Sequence, residues 1–470
     1  MNRENVTEFD NDNNNNSNHW NAISAGIFLD LIKSFEKNNI RYFILRNYEG
    51  LPEINNSKDV DIIIEPGKYQ VASKQLLFVF KKYGIGYYHR IKYERVRCFY
   101  GIDTKKRFSI HIDLIEGYLS KGFEVFPFEL LYKNTIKYNE FTVLNKPFDA
   151  IMLLYYKVIG AKELKEKYVE KISLIYQTES QMIDAVLVET LNKKCGLIIQ
   201  GALKNRDYDK IVKNAGLMSK TSKKKAFFKR PIYTIGSIVK FFVEKIHRVI
   251  FCPRKYQNFI AIIAPDGTGK TTFIENFQKA IAFYYVSDET KSHIYHHRPM
   301  ILPNLGVLGE KAGIKEQDKD FTIPHRAKPV GFFNSLLRMT YYWLDYFIGV
   351  PLLLRKDVQF DKFTIYDRYI YDFLVDPHRA RINLPYWLRK IFTKLIIQPR
   401  IVFVLSTDAE TIYARKQELT IEEINRQLNE FSKLAKSNKR FVVIDAALSP
   451  KEMVDLAMEI IIKRFTQAIV

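Results

Sequence analysis

The stretch Phe259-Ile-Ala-Ile-Ile-Ala-Pro-Asp-Gly-Thr-Gly-Lys-Thr-Thr272 restricts the fold more than any other. The unbroken apolar run from Phe259 to Ala264 reads as a strand buried in a parallel sheet. It breaks at Pro265-Asp266-Gly267, and an amphipathic helix starts near Lys270. Strand, glycine-rich loop and helix in that order are the setting of a phosphate-cradling loop. Glycines let the backbone curl until successive N–H groups face one anion, and the helix N-terminus adds partial positive charge. The spacing matches GxxxxGK[ST], with Ala264 in the place of the first glycine. Gly267, Thr268, Gly269, Lys270, Thr271 and Thr272 are therefore candidate triphosphate ligands. Lys270 would reach the β- and γ-phosphates and the Thr271 hydroxyl would hold Mg²⁺, so ATP and Mg²⁺ are the expected cofactors. The bland alternative is a chance glycine-rich turn after a core strand.

A chain of 470 residues predicts two to four domains, and 47% hydrophobic residues are enough to give them cores. Cys98, Cys195 and Cys252 lie far apart, which argues against a disulfide framework or a zinc cluster and for a reducing compartment. No basic-then-apolar signal segment opens the chain, and a cytoplasmic location is expected. Asn334, Arg338, Asp345 and Pro351 interrupt the long apolar stretch from Phe332 to Leu354. Those charges would be costly in a bilayer, so the stretch reads as a buried helix or helix pair.

Residues 1–19 are Asn-rich and without apolar periodicity, the composition of a disordered tail. From Trp20 the pattern is folded: an amphipathic helix from Ala22 to Glu36, a strand from Tyr42 to Leu45, and a second from Val60 to Ile64. Residues two apart on an extended chain share a face, so Asp59 and Asp61 point together. Two convergent carboxylates make a locus for divalent metal. A later strand, Ser109 to Ile115, carries Asp113 in its middle, and a neighbouring position in the sheet would complete a two-metal site. The alternative for Asp59 and Asp61 is a solvated strand end. Segments such as Phe148 to Ile159 and Lys162 to Tyr176 then read as a helical cap on this domain.

Leu45-Arg-Asn-Tyr-Glu-Gly-Leu-Pro52, Ser57-Lys-Asp-Val-Asp61 and His111-Ile-Asp113 resemble the minimal nucleotidyltransferase pattern of the polymerase-β-like superfamily, over roughly residues 20–215. The resemblance implies that Asp59, Asp61 and Asp113 bind two Mg²⁺ ions for attack on the α-phosphate of a nucleoside triphosphate. Arg46-Asn47 stands where that superfamily has a Gly-Ser turn.

Residues 216–256 form a basic segment between the domains. Ser219 to Lys255 holds eleven Lys and Arg against one Glu, a net charge of +10 out of +21 for the chain. Ile235, Ile238, Val239, Phe242, Ile246, Val249 and Ile250 follow helical spacing and leave one wide apolar face. Such a helix suits an anionic membrane surface, nucleic acid, or a join between two domains with its apolar face packed. The pairs Phe227-Phe228 and Phe241-Phe242 favour the membrane over nucleic acid.

Beyond the phosphate loop, strands and helices alternate. A helix from Thr271 to Tyr284 leads to strand Ser292–His296, which ends in His297-Arg298-Pro299. Arg298 thus sits where doubly wound sheets bind ligands. The polar run from Leu302 to Lys328 suits a segment that covers substrate. Strand Lys362–Tyr366 ends in Asp367-Arg368-Tyr369. Asp367 would hold the Mg²⁺ hydration shell in Walker-B fashion, and Arg368 would grip a phosphate bidentately. Asp367 as a helix N-cap is the alternative. A helix from Leu384 to Ile396, strand Ile401–Leu405, a helix from Ala409 to Leu419 carrying Arg415, strand Phe441–Asp445 and a helix from Pro450 to Phe465 close the domain. His296 and His297 have no partners at metal-ligand spacing and read as packing or loop residues.

Pro265-Asp266-Gly-Thr-Gly-Lys-Thr-Thr272, Arg298-Pro299, Asp367-Arg368-Tyr369 and Arg415 resemble the thymidylate kinase family of P-loop nucleoside-monophosphate kinases, over about residues 257–468. Tyr341 to Tyr346, Asp367 to Asp376 and Ala414 to Leu419 are similar to thymidylate-kinase-like proteins found with bacterial surface-polysaccharide genes. The resemblance implies that Arg298 and Arg368 hold the acceptor phosphate and that Arg415 stabilises the γ-phosphoryl in transfer; as a lone reading, Arg415 is a solvated helix charge. It also implies that Asp266 positions the acceptor or its metal. Pro299-Met-Ile-Leu replaces the Glu-Pro-Gly-Gly of that family, which leaves the acceptor open.

The expected fold class is α/β: a C-terminal P-loop doubly wound parallel sheet (257–470) with an N-terminal α+β nucleotidyltransferase-like domain (20–215). The expected partners are a nucleoside triphosphate, a small phosphate acceptor, a second copy of the chain and an anionic membrane surface met through 219–255, with no nucleic acid. A protein with one catalytic and one regulatory domain, or an ATP-switched scaffold at a membrane complex, are the rival readings.

Overall fold

The structure is a computed structural model, and it describes residues 20–91, 96–250, 258–285, 292–303, 330–360 and 362–467. The expected tail (1–19), Cys252 and most of the expected covering loop (302–328) lie outside the described residues. Among the described residues, those up to Lys245 form one compact unit and those from Ile246 to Phe465 another.

The N-terminal unit is built on a seven-stranded mixed sheet. Its strands are β1 (Tyr42–Ile44), β2 (Val60–Ile64), β3 (Gly86–Ile91), β4 (Val96–Asp103), β5 (Phe108–Glu116), β6 (Thr135–Tyr138) and β7 (Phe141–Leu144), in the order β3-β4-β5-β2-β1-β7-β6. β2 runs parallel to β5 and antiparallel to β1. Alternation at period two sends Tyr42, Ile44, Ile62 and Ile64 into one core with helices Ala22–Lys37 and Tyr69–Lys82. Phe43, Ile63 and Ile115 enter the other core, against helices Lys146–Leu153 and Glu166–Thr190. Asp61 and Asp113 have the parity of Ile63 and Ile115 and so face the helical cap.

That cap departs from the expected helix Lys162–Tyr176. A π-helix, Leu154–Ala161, ends at Lys162, whose φ of 56° is left-handed, and helix Glu166–Thr190 follows after a break. The basic segment also starts differently. Helix Ala215–Lys229 buries Ala215 and Met218 in the core shared with the cap, so its first half is part of this body.

The C-terminal unit carries five parallel strands: β8 (Phe259–Ile263), β9 (Ser292–His296), β10 (Phe363–Asp367), β11 (Ile401–Ser406) and β12 (Phe441–Asp445), ordered β12-β11-β8-β10-β9. Helix Lys270–Tyr284 packs on one face through Phe273 and Phe277 against Phe403. Tyr346 of helix Phe332–Phe360 and Phe431 of helix Ile421–Ser437 join the core on the other face. Helices on both faces of a parallel sheet give the expected doubly wound class. β9 and β10 lie on one side of β8 and β11 and β12 on the other, so the strand order reverses beside β8, where such sheets bind ligands.

Of the expected buried helix or helix pair, Phe332–Phe360 is one helix that runs through Pro351, and it is half-buried rather than buried. Met339, Tyr346, Val350 and Leu354 form its inner stripe, while Phe333, Leu337, Phe347 and Leu352 are exposed. The helix that begins at Ala409 stops at Arg415, because Lys416 is extended (φ −155°, ψ 110°). Among the described residues, no helix is long and apolar enough to cross a membrane.

Candidate functional site

The phosphate loop begins where β8 ends. Gly267 and Gly269 both adopt left-handed φ, 88° and 91°, which lets the chain curl back before helix Lys270–Tyr284. Gly267 is also sterically required. A Cβ there would lie 3.0 Å from the Lys416 Cβ and 3.1 Å from the Ile412 carbonyl oxygen. The Thr268 hydroxyl donates to the Pro265 carbonyl at 2.8 Å and braces the turn. Thr271 and Thr272, in the first turn of the helix, are exposed.

Lys270 folds back into the loop and donates to the carbonyls of Ala264 and Pro265, each at 3.3 Å. Asp266 lies 3.5 Å away. Burial, with the charge of Arg368, pulls its ammonium down to about 8, against the attraction of Asp266, Asp367 and Asp372. A buried lysine with a weakened hold on its proton is poised to gain an anionic partner.

Asp266 is enclosed by cations. Arg368 donates to it, as does Arg379 at 2.5 Å. Burial alone would raise this carboxyl, but Arg368, Lys270 and Arg379 hold it well below the usual carboxylate range. Arg368 turns at φ 69° directly after β10 and also donates to Asp372 at 2.9 Å. Asp266 thus organises two arginines at the mouth of the loop, a role the sequence reading left to the acceptor or its metal.

Asp367, the last residue of β10, lies beside Ile262 of β8 and His296 of β9. This puts it at the same sheet end as the phosphate loop. One carboxylate oxygen meets His296 Nδ1 at 3.1 Å, and the other is buried without a hydrogen-bond partner. An orphaned carboxylate oxygen next to a phosphate loop fits a ligand to hydrated Mg²⁺. His296, read from sequence as packing, is a partner of that carboxylate. Its neighbour His297 is held neutral: burial pulls its imidazole down to about 4.

Arg298 follows β9 and donates to Asp345 at 3.3 Å, with its guanidinium 4.9 Å from the centre of the Tyr342 ring. Asp345 is fully buried and also accepts from the backbone N–H groups of Met300, Ile301 and Leu302 at 3.2, 2.9 and 2.9 Å. A residue that reads in sequence as a charge interrupting an apolar stretch is thus the anchor of the loop bearing Arg298. Arg415 is exposed at the end of its helix, next in the chain to the Lys416 that contacts the phosphate loop.

The N-terminal unit brings its three carboxylates together. Asp61 and Asp113 lie opposite each other on β2 and β5, and oxygens of Asp59, Asp61 and Asp113 fall within 4.8 Å of one another. Burial and the charge of Asp59 push Asp61 up to about 6, with Asp113 adding to Asp59 and Arg46 acting against them. Crowded carboxylates of this kind fit a divalent cation. His111 Nε2 lies 2.8 Å from an Asp113 oxygen and its ring stacks on Tyr100 at 4.1 Å, which fixes the Asp113 carboxylate.

At Arg46-Asn47 the chain turns on Asn47, which takes the left-handed conformation (φ 54°) that Asn tolerates better than most residues. Arg46 is buried, donates to Asp61 at 2.6 Å and stacks on Tyr156 at 4.3 Å. Lys157, on the π-helix, lies 4.9 Å from the Tyr168 ring centre, and burial with the charge of Arg46 lowers its pKa. Sequence spacing gave no signal for Lys157, because π-helical register is not written in apolar periodicity.

No protein-family model and no curated protein matches the chain. Among solved structures, the thymidylate kinase from Ehrlichia chaffeensis is similar at a TM-score of 0.29 and 17% identity, covering 44% of this chain and 97% of that one.

Proposed function

We propose that the C-terminal unit is an ATP- and Mg²⁺-dependent phosphotransferase of the nucleoside-monophosphate kinase kind, acting on a small phosphate- or hydroxyl-bearing acceptor. One observation carries the reading. At one sheet end, a phosphate loop with a buried lysine lies beside a strand-end aspartate that has an unpartnered carboxylate oxygen. Lys270 and the loop N–H groups would hold the β- and γ-phosphates. Asp367 and Thr271 would hold Mg²⁺, which supplies charge neutralisation for the phosphates. Arg368 and Arg298 would receive the acceptor phosphate, and Arg415 would meet charge that develops on the transferring group. Transfer would be in line, with positioning supplying most of the rate. The runs that resemble surface-polysaccharide-associated proteins extend the proposal to that biosynthesis.

For the N-terminal unit the proposal is a nucleotidyltransferase-like site in which Asp59, Asp61 and Asp113 hold divalent cations. A second reading has its own observation. Arg46 already neutralises Asp61 at 2.6 Å, which suits a unit that binds a nucleotide and regulates.

Acceptor-dependent ADP release, measured over a panel of phosphorylated and hydroxylated metabolites, tests the kinase reading. It should vanish in Lys270→Ala. Turnover unchanged in that variant, or ATP hydrolysis indifferent to every acceptor, would remove the reading in favour of a switched scaffold. Pyrophosphate release that is lost in Asp61→Ala supports transfer at the N-terminal site, and its absence in the unaltered protein leaves regulation.

A further inference from the structure

Helix Pro231–Ile250 is docked on the N-terminal unit by the wrong side for a core helix. Thr234 is buried, and Ser237, Ile238 and Phe241 are half-buried. Gly122 (φ 85°) approaches so closely that a Cβ on it would lie 2.7 Å from the Ile238 Cα. Arg230, just before the helix, donates to Glu124 at 2.8 Å and fixes its start. The mainly apolar face points outward: Ile232, Ile235, Val239, Phe242, Val243 and Ile246 are between 52% and 87% exposed.

At about 100° per residue these six side chains fall within a single arc of roughly 100°. Cations border the arc on both sides. Lys245 lies one turn beyond Phe242 on one edge, and Lys240 lies one turn before Val243 on the other; both are exposed. Glu244, the acid of this helix, projects from the opposite side. A protein partner would cover such a stripe with no need of paired lysines at its borders. A bilayer interface needs both: apolar side chains sunk beneath the headgroups, and lysines whose stems follow them while the ammonium groups stay at the phosphate level.

We propose that this helix lies in the plane of an anionic membrane surface and holds the protein there peripherally. Exposed Lys220 and Lys224, on the preceding helix, add to the positive charge of the segment. The inference rests on the exposed face of this helix and holds whether or not the chain is a kinase.

Flotation of the full chain with vesicles of phosphatidylglycerol in phosphatidylcholine, against phosphatidylcholine alone, tests it. The protein should float with the anionic vesicles, and salt should weaken the association. Val239→Glu with Phe242→Glu should abolish flotation. Lys240→Glu with Lys245→Glu changes two solvent-exposed positions and should weaken it by at least about tenfold. Circular dichroism melting of both variants should match the parent. Light scattering without lipid should give one mass for all three proteins. Failure to float, or flotation indifferent to the lysine changes, would overturn the proposal. So would self-association of the parent that Val239→Glu with Phe242→Glu dissolves, since the stripe would then belong to a second copy.

Discussion

Arg379 donates to Asp266 at 2.5 Å although 113 positions separate them in the chain. With Arg368 on its other oxygen, Asp266 balances two guanidiniums beside the phosphate loop. Removal of the carboxylate takes one of two acidic partners from the buried Arg368 and leaves it Asp372. Asp266→Ala is therefore expected to cost about 2–3 kcal/mol in the unfolding of the C-terminal unit. Arg379→Ala, at a third-exposed site, should cost no more than about 1 kcal/mol. Denaturant titration separates the two. Equal costs would mean that Asp266 does not depend on the buried arginine.

The lowered Lys270 pKa, about 8, gives a proton signature for nucleotide binding. Above that pH the free protein holds this side chain largely neutral. A bound polyphosphate stabilises the ammonium and raises its pKa, so binding near pH 8 takes up protons. Affinity should fall as pH rises from 7 to 9 by about tenfold, the population cost of recharging one group. Calorimetric binding enthalpies measured near pH 8 in buffers of different ionisation enthalpy should therefore differ, and those of Lys270→Ala should not. Buffer-independent enthalpies for the parent would count against Lys270 as the phosphate ligand.

Lys270 and Asp367 are legible in the sequence because each belongs to a contiguous pattern, a strand that runs into a loop or into a charged end. Asp59 and Asp61 are legible for the same reason. What the chain does not announce is what the fold brings from afar. Arg379 lies in a run with no motif, Asp345 lies in a run that gives it no role of its own, and their partners come from other elements. His296 touches Asp367 only because β9 and β10 pair in register. Pro351 interrupts the apolar stretch and leaves one helix or a pair open, and the buried stripe from Met339 to Leu354 supports a single helix through it. The helix after Ala409 reads four residues too long because its charged continuation is compatible with helix, whereas Lys416, beside Gly267 of the phosphate loop, is extended.

Gly267 joins a left-handed φ of 88° to a close approach by Ile412 and Lys416. Gly267→Ala should therefore cost about 1–2 kcal/mol from backbone strain and shift the loop away from the helix end. ADP formation should fall by at least tenfold, with the larger effect on KM for ATP, while Gly160→Ala, with open space around it, serves as a control of the handling. Unaltered KM for ATP would show that the loop does not hold phosphate.

At the acidic site of the N-terminal unit, protons and cations compete for the same oxygens. Asp61 is pushed up to about 6, so divalent cation affinity should rise as pH increases through that value and level off above it. Mn²⁺ titrations followed by paramagnetic relaxation should show this slope in the parent. Asp113→Asn removes one of the three clustered carboxylates and should weaken binding by at least about tenfold. A pH-independent affinity, or one untouched by Asp113→Asn, would place the ion elsewhere.

Asp345 offers the cleanest separation of acceptor from nucleotide. Its Oδ1 accepts from Ile301 and Leu302, and its Oδ2 from Met300 and Arg298. Asp345→Asn keeps the first pair if the amide oxygen stays in the Oδ1 position. It then turns an N–H₂ group toward donors that need an acceptor. That mismatch should cost about 1–3 kcal/mol in stability and release Arg298 from its place above Tyr342. KM for the acceptor should rise by at least tenfold while KM for ATP stays within twofold, because Lys270 and Asp367 have no contact with this carboxylate. A change in both constants together would mean that Asp345 supports the sheet end as a whole, and Arg298 would lose its assignment to the acceptor.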